Sequence, residues 1–154
     1  MRDMLSVDWS RIPPPQDDGA ARHLQGLHLP GLRLPSTSGE GVDLSTLPGI
    51  TVLYVYPRMG RPDLPLLEGW DMTPGARGCT PQSCGFRDLA EELAAAGAAN
   101  LFGLSSQDSD YQREAVERLH LPFALLSDAQ GQLTEALGPV SYTHLRAHET
   151  KANL

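Results

Sequence analysis

Apolar residues gather in short runs between glycine, proline and polar stretches, and the period of each run predicts its element. Ile50-Thr51-Val52-Leu53-Tyr54-Val55-Tyr56 is continuous, β-branched and aromatic, which predicts a strand covered on both faces and ended by Pro57. Leu101 to Leu104 predicts a second buried strand, and Phe123 to Leu126 a third. Phe86, Leu89, Ala90 and Leu93 recur at helical spacing, with Gly97 as the stop. Ser109 to Leu119 predicts a second helix, with Ser109 and Asp110 as cap candidates, and Gly131 to Leu137 a short third. Upstream, Leu27 to Leu34, the turn Gly39-Glu40-Gly41 and Val42-Asp43-Leu44 predict an edge strand and its partner. Alternating strands and helices with short connections imply an α/β fold, with right-handed crossovers and a central, mostly parallel sheet flanked by helices.

The 154 residues suffice for one domain with a buried core. Residues 1–23 are polar, hold Pro13-Pro14-Pro15 and Asp17-Asp18-Gly19, and read as a loose leader. Residues 24–140 carry the periodic pattern. Ten arginines and no lysine precede residue 140, whereas residues 141–154 hold Lys151, His144 and His148. That change of composition marks 141–154 as foreign to the fold. The longest apolar run is too short to cross a membrane, and the N-terminus lacks the apolar core of a secretory signal. A cytoplasmic location is expected. A formal charge of −7 disfavours nucleic acid and anionic lipid as partners.

Chemistry concentrates at Cys79 and Cys84, the only cysteines. They lie in Gly78-Cys79-Thr80-Pro81-Gln82-Ser83-Cys84-Gly85-Phe86-Arg87-Asp88, which reads as the opening of a helix. Pro81 fits only the first helical turn and fixes the start within a residue or two of Cys79, with Thr80 as a candidate cap. Backbone N–H groups, the helix dipole, Arg77 and Arg87 are expected to draw the Cys79 thiol below its free value of about 8.5. A fall to about 6 raises the thiolate fraction at neutral pH roughly thirtyfold. Lower basicity then removes about tenfold of nucleophilicity. Ionisation alone does not make a fast-reacting thiol; donors that orient the bond under attack are needed too. At i, i+5 on an ideal helix the two Cα atoms stand about 8.6 Å apart. A disulfide needs less than about 6.8 Å, so bridging the pair must unwind the first turn.

These residues resemble the peroxiredoxins, particularly the bacterioferritin-comigratory or Q-type group and related redoxin-domain proteins. The resemblance runs from about Leu29 to Val140. It rests on Leu29-Pro30, Leu34-Pro35, Gly39, Val52-Leu53-Tyr54-Val55-Tyr56-Pro57, Thr73-Pro74-Gly75, the cysteine block through Leu89, Gly103-Leu104-Ser105 and Leu125-Leu126-Ser127-Asp128. It implies a thioredoxin-like fold and a thiol peroxidase that needs no metal or organic cofactor. Cys79 would be the peroxidatic thiolate, oxidised to a sulfenic acid by hydrogen peroxide or an organic hydroperoxide, and Cys84 the resolving thiol. A Cys79–Cys84 disulfide would then be reduced by a thioredoxin-type protein. Pro57 would shield the site, Arg77 would add charge, and the chain would act as a monomer or weak homodimer.

Two departures stand out. Ala76 occupies the threonine slot of the family frame Pro-x3-Thr-x2-Cys, as though Ala76-Arg77-Gly78 were inserted after Thr73-Pro74-Gly75. The family domain also continues beyond the position of Val140 with strands, a helix and an arginine at the thiolate. A non-catalytic thioredoxin-like redox-sensing or binding module is the alternative function. A disulfide reductase is weaker, because its usual C-x-x-C is absent. The C-x4-C spacing is not that of common zinc sites, and His144 with His148 is read as part of the tail rather than as a metal pair. Leu64, Leu66, Leu67 and Trp70 either line a peroxide pocket or pack on the domain. Asp128 is expected as a turn or cap residue and His120 as a helix-end residue.

Overall fold

Three of the apolar runs form one parallel sheet. The computed structural model describes residues 19–65, 67–70 and 77–138. Leu66, Thr73-Pro74-Gly75, Ala76, Val140, residues 1–18 of the expected leader at 1–23, and the expected tail at 141–154 lie outside them. The chain order is β1 (Arg33–Leu34), β2 (Val42–Asp43), β3 (Ile50–Val55), α1 (Cys79–Asp88), α2 (Ala90–Ala95), β4 (Ala98–Ser105), α3 (Ser109–Leu119), β5 (Leu125–Ser127) and α4 (Gln132–Leu137). β1 and β2 pair antiparallel, and β3, β4 and β5 lie in that order with both pairings parallel. The α/β reading of the sequence holds.

Past β1 the chain runs along the free side of β5: Ser127 N–H donates to Pro35 at 2.9 Å and Thr37 N–H to Leu125 at 3.0 Å. β5 is thereby covered on both sides, and Leu125 and Leu126 are fully buried. β3 differs from its expected double cover. It is an edge strand with no partner on its outer side among the described residues, and Ile50 is 63% and Val55 49% exposed. Its continuous apolar run therefore does not report two buried faces.

Two apolar clusters hold the layers together. One joins Tyr54, Tyr56, Met59 and Cys79 to Ala115, Leu119 and Leu125. The other joins Leu34, Leu44, Leu104, Leu126 and Leu133. Each fully buried large apolar side chain contributes about 1.5–3 kcal/mol. The predicted helix over Phe86 to Leu93 is two segments that meet at Leu89, which is 48% exposed instead of core-facing. Gly97, at φ +104°, ends the second segment in a conformation that glycine adopts without strain.

α3 has the predicted bounds but another cap. The Asp108 carboxylate, rather than Ser109 or Asp110, accepts the Tyr111 N–H at 2.7 Å, because Asp108 is the residue with extended backbone at the helix mouth. His120 closes the helix in the left-handed region at φ 52°. Asp128 is a cap as expected, accepting Leu133 N–H at 3.0 Å and Thr134 N–H at 2.9 Å from α4. No helix of the described residues is long and apolar enough to cross a membrane.

Candidate thiol site

Gly78 caps α1, so Cys79 is the first helical residue and Pro81 the third. The predicted start holds to within a residue, but Thr80 lies inside the first turn, buried, and is not the cap. Proline at this position forfeits no helical bond, since first-turn N–H groups lack an intrahelical partner. Cys84 is in the same unbroken helix, so the reduced pair sits on helical geometry. Both thiols are free; Cys79 is 5% exposed and Cys84 half-buried.

The cover over Cys79 comes from the segment that follows β3. Tyr56 N–H makes the last ladder bond, to Leu104 at 3.0 Å, and Pro57-Arg58-Met59 then turns across the start of α1. Met59 is 1% exposed and belongs to the same apolar cluster as Cys79. Its N–H donates to Gln107 Oε1 at 2.9 Å, and its carbonyl accepts from Gln107 Nε2 at 3.1 Å and from the Tyr111 hydroxyl at 3.1 Å. Beneath, the Tyr54 hydroxyl donates to Ser83 Oγ at 3.0 Å, and Ser83 donates to Met59 Sδ at 3.5 Å. Tyr54 also stacks on Phe86, with ring centroids 4.3 Å apart.

Electrostatics at Cys79 run against the expectation. Burial pushes its thiol up from the ordinary value, and the backbone N–H groups of Arg58 and of Cys79 itself pull it down without overcoming burial. Arg87 does not serve this sulfur. Its guanidinium bonds Asp88 at 2.8 Å and the Leu119 carbonyl at 2.9 Å. Arg77 is exposed in the turn before α1. Pro57 is half-buried and directly precedes Arg58, whose N–H favours the thiolate.

Trp70 packs down, 5% exposed, while Leu64 and Leu67 are 45% and 51% exposed. Leu67 and Trp70 border a shallow cleft with Arg58, Arg61 and Tyr111, and both guanidinium groups lie over the Tyr111 ring at 5.3 and 5.4 Å. Of the residues named from the sequence, Cys79 and Cys84 share α1, Pro57 lies in the segment across its start, and Arg77 stands exposed in the turn before it. Sequence reasoning missed Arg58, Met59, Tyr54, Ser83, Gln107 and Tyr111. A glutamine between an apolar strand and a helix carries no local signal that its amide will close on a loop 48 positions upstream. No group of three or more His, Cys, Asp or Glu among the described residues has metal-site geometry.

The Redoxin family model matches residues 24–150. The chain is 35% identical over 114 residues to a putative peroxiredoxin Bcp of Coxiella burnetii, covering 73% of this chain and 65% of the relative. It is 37% identical over 112 residues to peroxiredoxin Bcp of Bacillus subtilis, covering 72% and 61%. The chain thus spans less than two thirds of the length of these relatives. Among solved structures, peroxidoxin BcpB from Mycobacterium tuberculosis superposes with a TM-score of 0.58 at 32% identity, over 73% of this chain and 64% of that one. Peroxiredoxin Q of Xanthomonas campestris gives 0.56 at 25% identity, over 73% and 64%. The expected thioredoxin-like fold is thereby shown.

Proposed function

This chain belongs to the Redoxin family, and on that premise we propose that it is the thiol-bearing part of a peroxidase that reduces hydrogen peroxide or an organic hydroperoxide. The observation that carries the proposal is Cys79 at the first position of α1, beneath the Pro57–Met59 segment, with Cys84 on the same helix. The Cys79 thiolate attacks one peroxide oxygen. A new S–O bond forms as the O–O bond breaks, the sulfur is oxidised to the sulfenic acid, and the departing hydroxide or alkoxide takes up a proton to leave as water or alcohol. Cys84 sulfur then attacks Cys79 sulfur, and the sulfenic oxygen leaves as water.

The resulting Cys79–Cys84 disulfide requires α1 to unwind, since its Cα atoms on the helix are about 8.6 Å apart. A thioredoxin-type dithiol restores both thiols by supplying two electrons and two protons. Pro57 keeps bulk water from the sulfur, and Arg77 adds positive charge at the mouth of the site. The chain works in the cytoplasm, as a monomer or weak homodimer.

Mass spectrometry under non-reducing conditions tests this after one equivalent of peroxide. A loss of two hydrogens that disappears in Cys79→Ser supports the reading, and an unchanged mass sinks it. The burial of Cys79, which disfavours its thiolate, supports the alternative, a non-catalytic redox-sensing or binding module. Sustained peroxide consumption with thioredoxin decides for the enzyme; a single slow oxidation decides for the sensor.

A further inference from the structure

The segment over Cys79 is fixed from a different part of the fold, and two residues do the fixing. Tyr56 N–H is tied to β4, and Met59 N–H is tied to Gln107. Only Pro57 and Arg58 lie between these two anchored positions, and the proline ring locks one of their torsions. The direction of the Arg58 N–H is therefore set by where Met59 is held.

Met59 is held by three bonds. Gln107 closes on both of its peptide groups, as a neighbouring strand would, and Tyr111 adds a second donor to its carbonyl. Gln107 is itself fixed. Its own N–H donates to Ser105 Oγ at 3.3 Å, and its carbonyl accepts from the Ser127 hydroxyl at 2.7 Å. One residue further along the segment, Arg118 donates to the Gly60 carbonyl at 3.1 Å while its guanidinium is held by Glu114 at 2.6 Å. The end of β4, the turn after it and the inner face of α3 thus form one frame.

We propose that Gln107 and Tyr111 are positioning residues, which hold the Arg58–Met59 backbone over Cys79 and so set the reactivity of a sulfur they do not touch. The inference rests on Cys79 being the reacting thiol. A buried thiolate depends on whatever dipoles remain aimed at it. Around Cys79 those are the N–H groups of Arg58 and of Cys79 itself. Cys79 N–H belongs to α1 and stays put. Arg58 N–H can turn away once Met59 is released, because both Met59 peptide groups would then seek water.

The experiment uses the full chain as the parent, Gln107→Leu and Tyr111→Phe, each checked for folding by circular dichroism. Site-resolved mass spectrometry follows iodoacetamide labelling of Cys79 from acid to alkaline pH, and in parallel its oxidation by hydrogen peroxide. In Gln107→Leu the midpoint of the labelling profile moves up by about one pH unit, equivalent to a tenfold smaller thiolate fraction at neutral pH. The plateau rate at high pH stays that of the parent, and peroxide oxidation at neutral pH slows to match.

Tyr111→Phe keeps the ring and loses one of the two donors to Met59 oxygen, so its midpoint moves in the same direction by less. A role confined to packing would change the plateau by altering access and leave the midpoint in place. That result, or an unchanged midpoint in either folded variant, overturns the proposal. If Cys79 of the parent does not react with peroxide, the peroxidase reading fails instead, while the labelling midpoints still judge the positioning of the backbone.

Discussion

Tyr54 reaches from β3 to the second turn of α1, its hydroxyl 3.0 Å from Ser83 Oγ, and Ser83 passes the contact on to Met59 Sδ at 3.5 Å. One chain of polar contacts therefore joins the sheet, the helix that carries both thiols and the segment above them. Ser83 is fully buried. The two ends of this bond are not equivalent to mutation. Tyr54→Phe removes a hydroxyl and leaves Ser83 with its sulfur acceptor, so it should cost about 1 kcal/mol. Ser83→Ala leaves a buried phenol without an acceptor and should cost about 1–3 kcal/mol. Urea midpoints of the two variants check the order, and a smaller loss for Ser83→Ala contradicts it.

The reach of Tyr54 depends on the absence of a side chain beside it. Gly103 pairs with Tyr54 across β3 and β4, and a Cβ there would lie 2.6 Å from the Tyr54 ring and 2.6 Å from Leu125. Neither neighbour can yield easily. Tyr54 is stacked on Phe86, and Leu125 is fully buried. Gly103→Ala should therefore destabilise the protein by about 1–3 kcal/mol. It should also weaken the Tyr54–Ser83 bond, so that adding Tyr54→Phe to it costs less than in the parent. A double-mutant cycle measures this, and strict additivity removes the argument.

The fold was legible where local signals sufficed. The bounds of α3 follow from its period, and the start of α1 follows from Pro81, because a missing N–H admits few helical positions. Local signals failed where a decision was tertiary. Thr80, Ser109 and Asp110 are good cap residues by type, yet Thr80 lies inside the first turn of α1, and at α3 the cap is Asp108, whose backbone is extended. Ile50 and Val55 look like core residues, but a strand's exposure depends on its place in the sheet, which its own sequence does not encode. The two cysteines stand out in the sequence as the candidate reactive groups. The direction of the Cys79 shift is not legible there, because burial outweighs charge that is near only in sequence, and Arg87 turns its guanidinium to Asp88 and Leu119.

Disulfide formation should leave a local footprint. With α1 intact the two sulfurs belong to residues about 8.6 Å apart at Cα, so the oxidised chain must give up helical bonds between them. Hydrogen exchange of the oxidised protein should show lost protection over 79–88. Protection over α3 and β4, held by their own ladders and caps, should persist. Equal protection of α1 in both redox states would mean that the pair does not bridge.

Stability should fall at alkaline pH through the phenols. Burial, as the largest cause, raises Tyr54 from 10.0 to about 12, the Ser83 hydrogen bond opposing it, and raises Tyr56 further still. The unfolded chain thus releases phenolic protons that the folded chain retains. The contribution of Tyr54 is complete below about pH 10 and is lost as pH climbs from about 10 to about 12, at most about 2–3 kcal/mol. Cys79 acts with the same sign from a lower starting value, its thiol also being raised by burial. Denaturation midpoints across this window should be flatter in Tyr54→Phe than in the parent, with the residual slope left to Tyr56. An equally steep profile in the variant would assign the loss to other groups.

The two thiols should be attacked in opposite orders by reagents of different kinds. Cys84 is half-buried, whereas Cys79 is 5% exposed beneath Met59. An alkylating agent reports access and thiolate fraction together; Cys84 is the more exposed thiol, and burial suppresses the Cys79 thiolate. Iodoacetamide at neutral pH should therefore modify Cys84 several-fold faster. Hydrogen peroxide is smaller than the alkylator and is less hindered by the cover, and the N–H groups at Cys79 favour the charge that develops there. Oxidation with substoichiometric peroxide should accordingly place the first sulfenic acid on Cys79, which dimedone trapping and peptide mapping locate. Had access alone set the order, both reagents would mark Cys84 first, and the assignment of Cys79 as the attacking sulfur would have to be exchanged for Cys84.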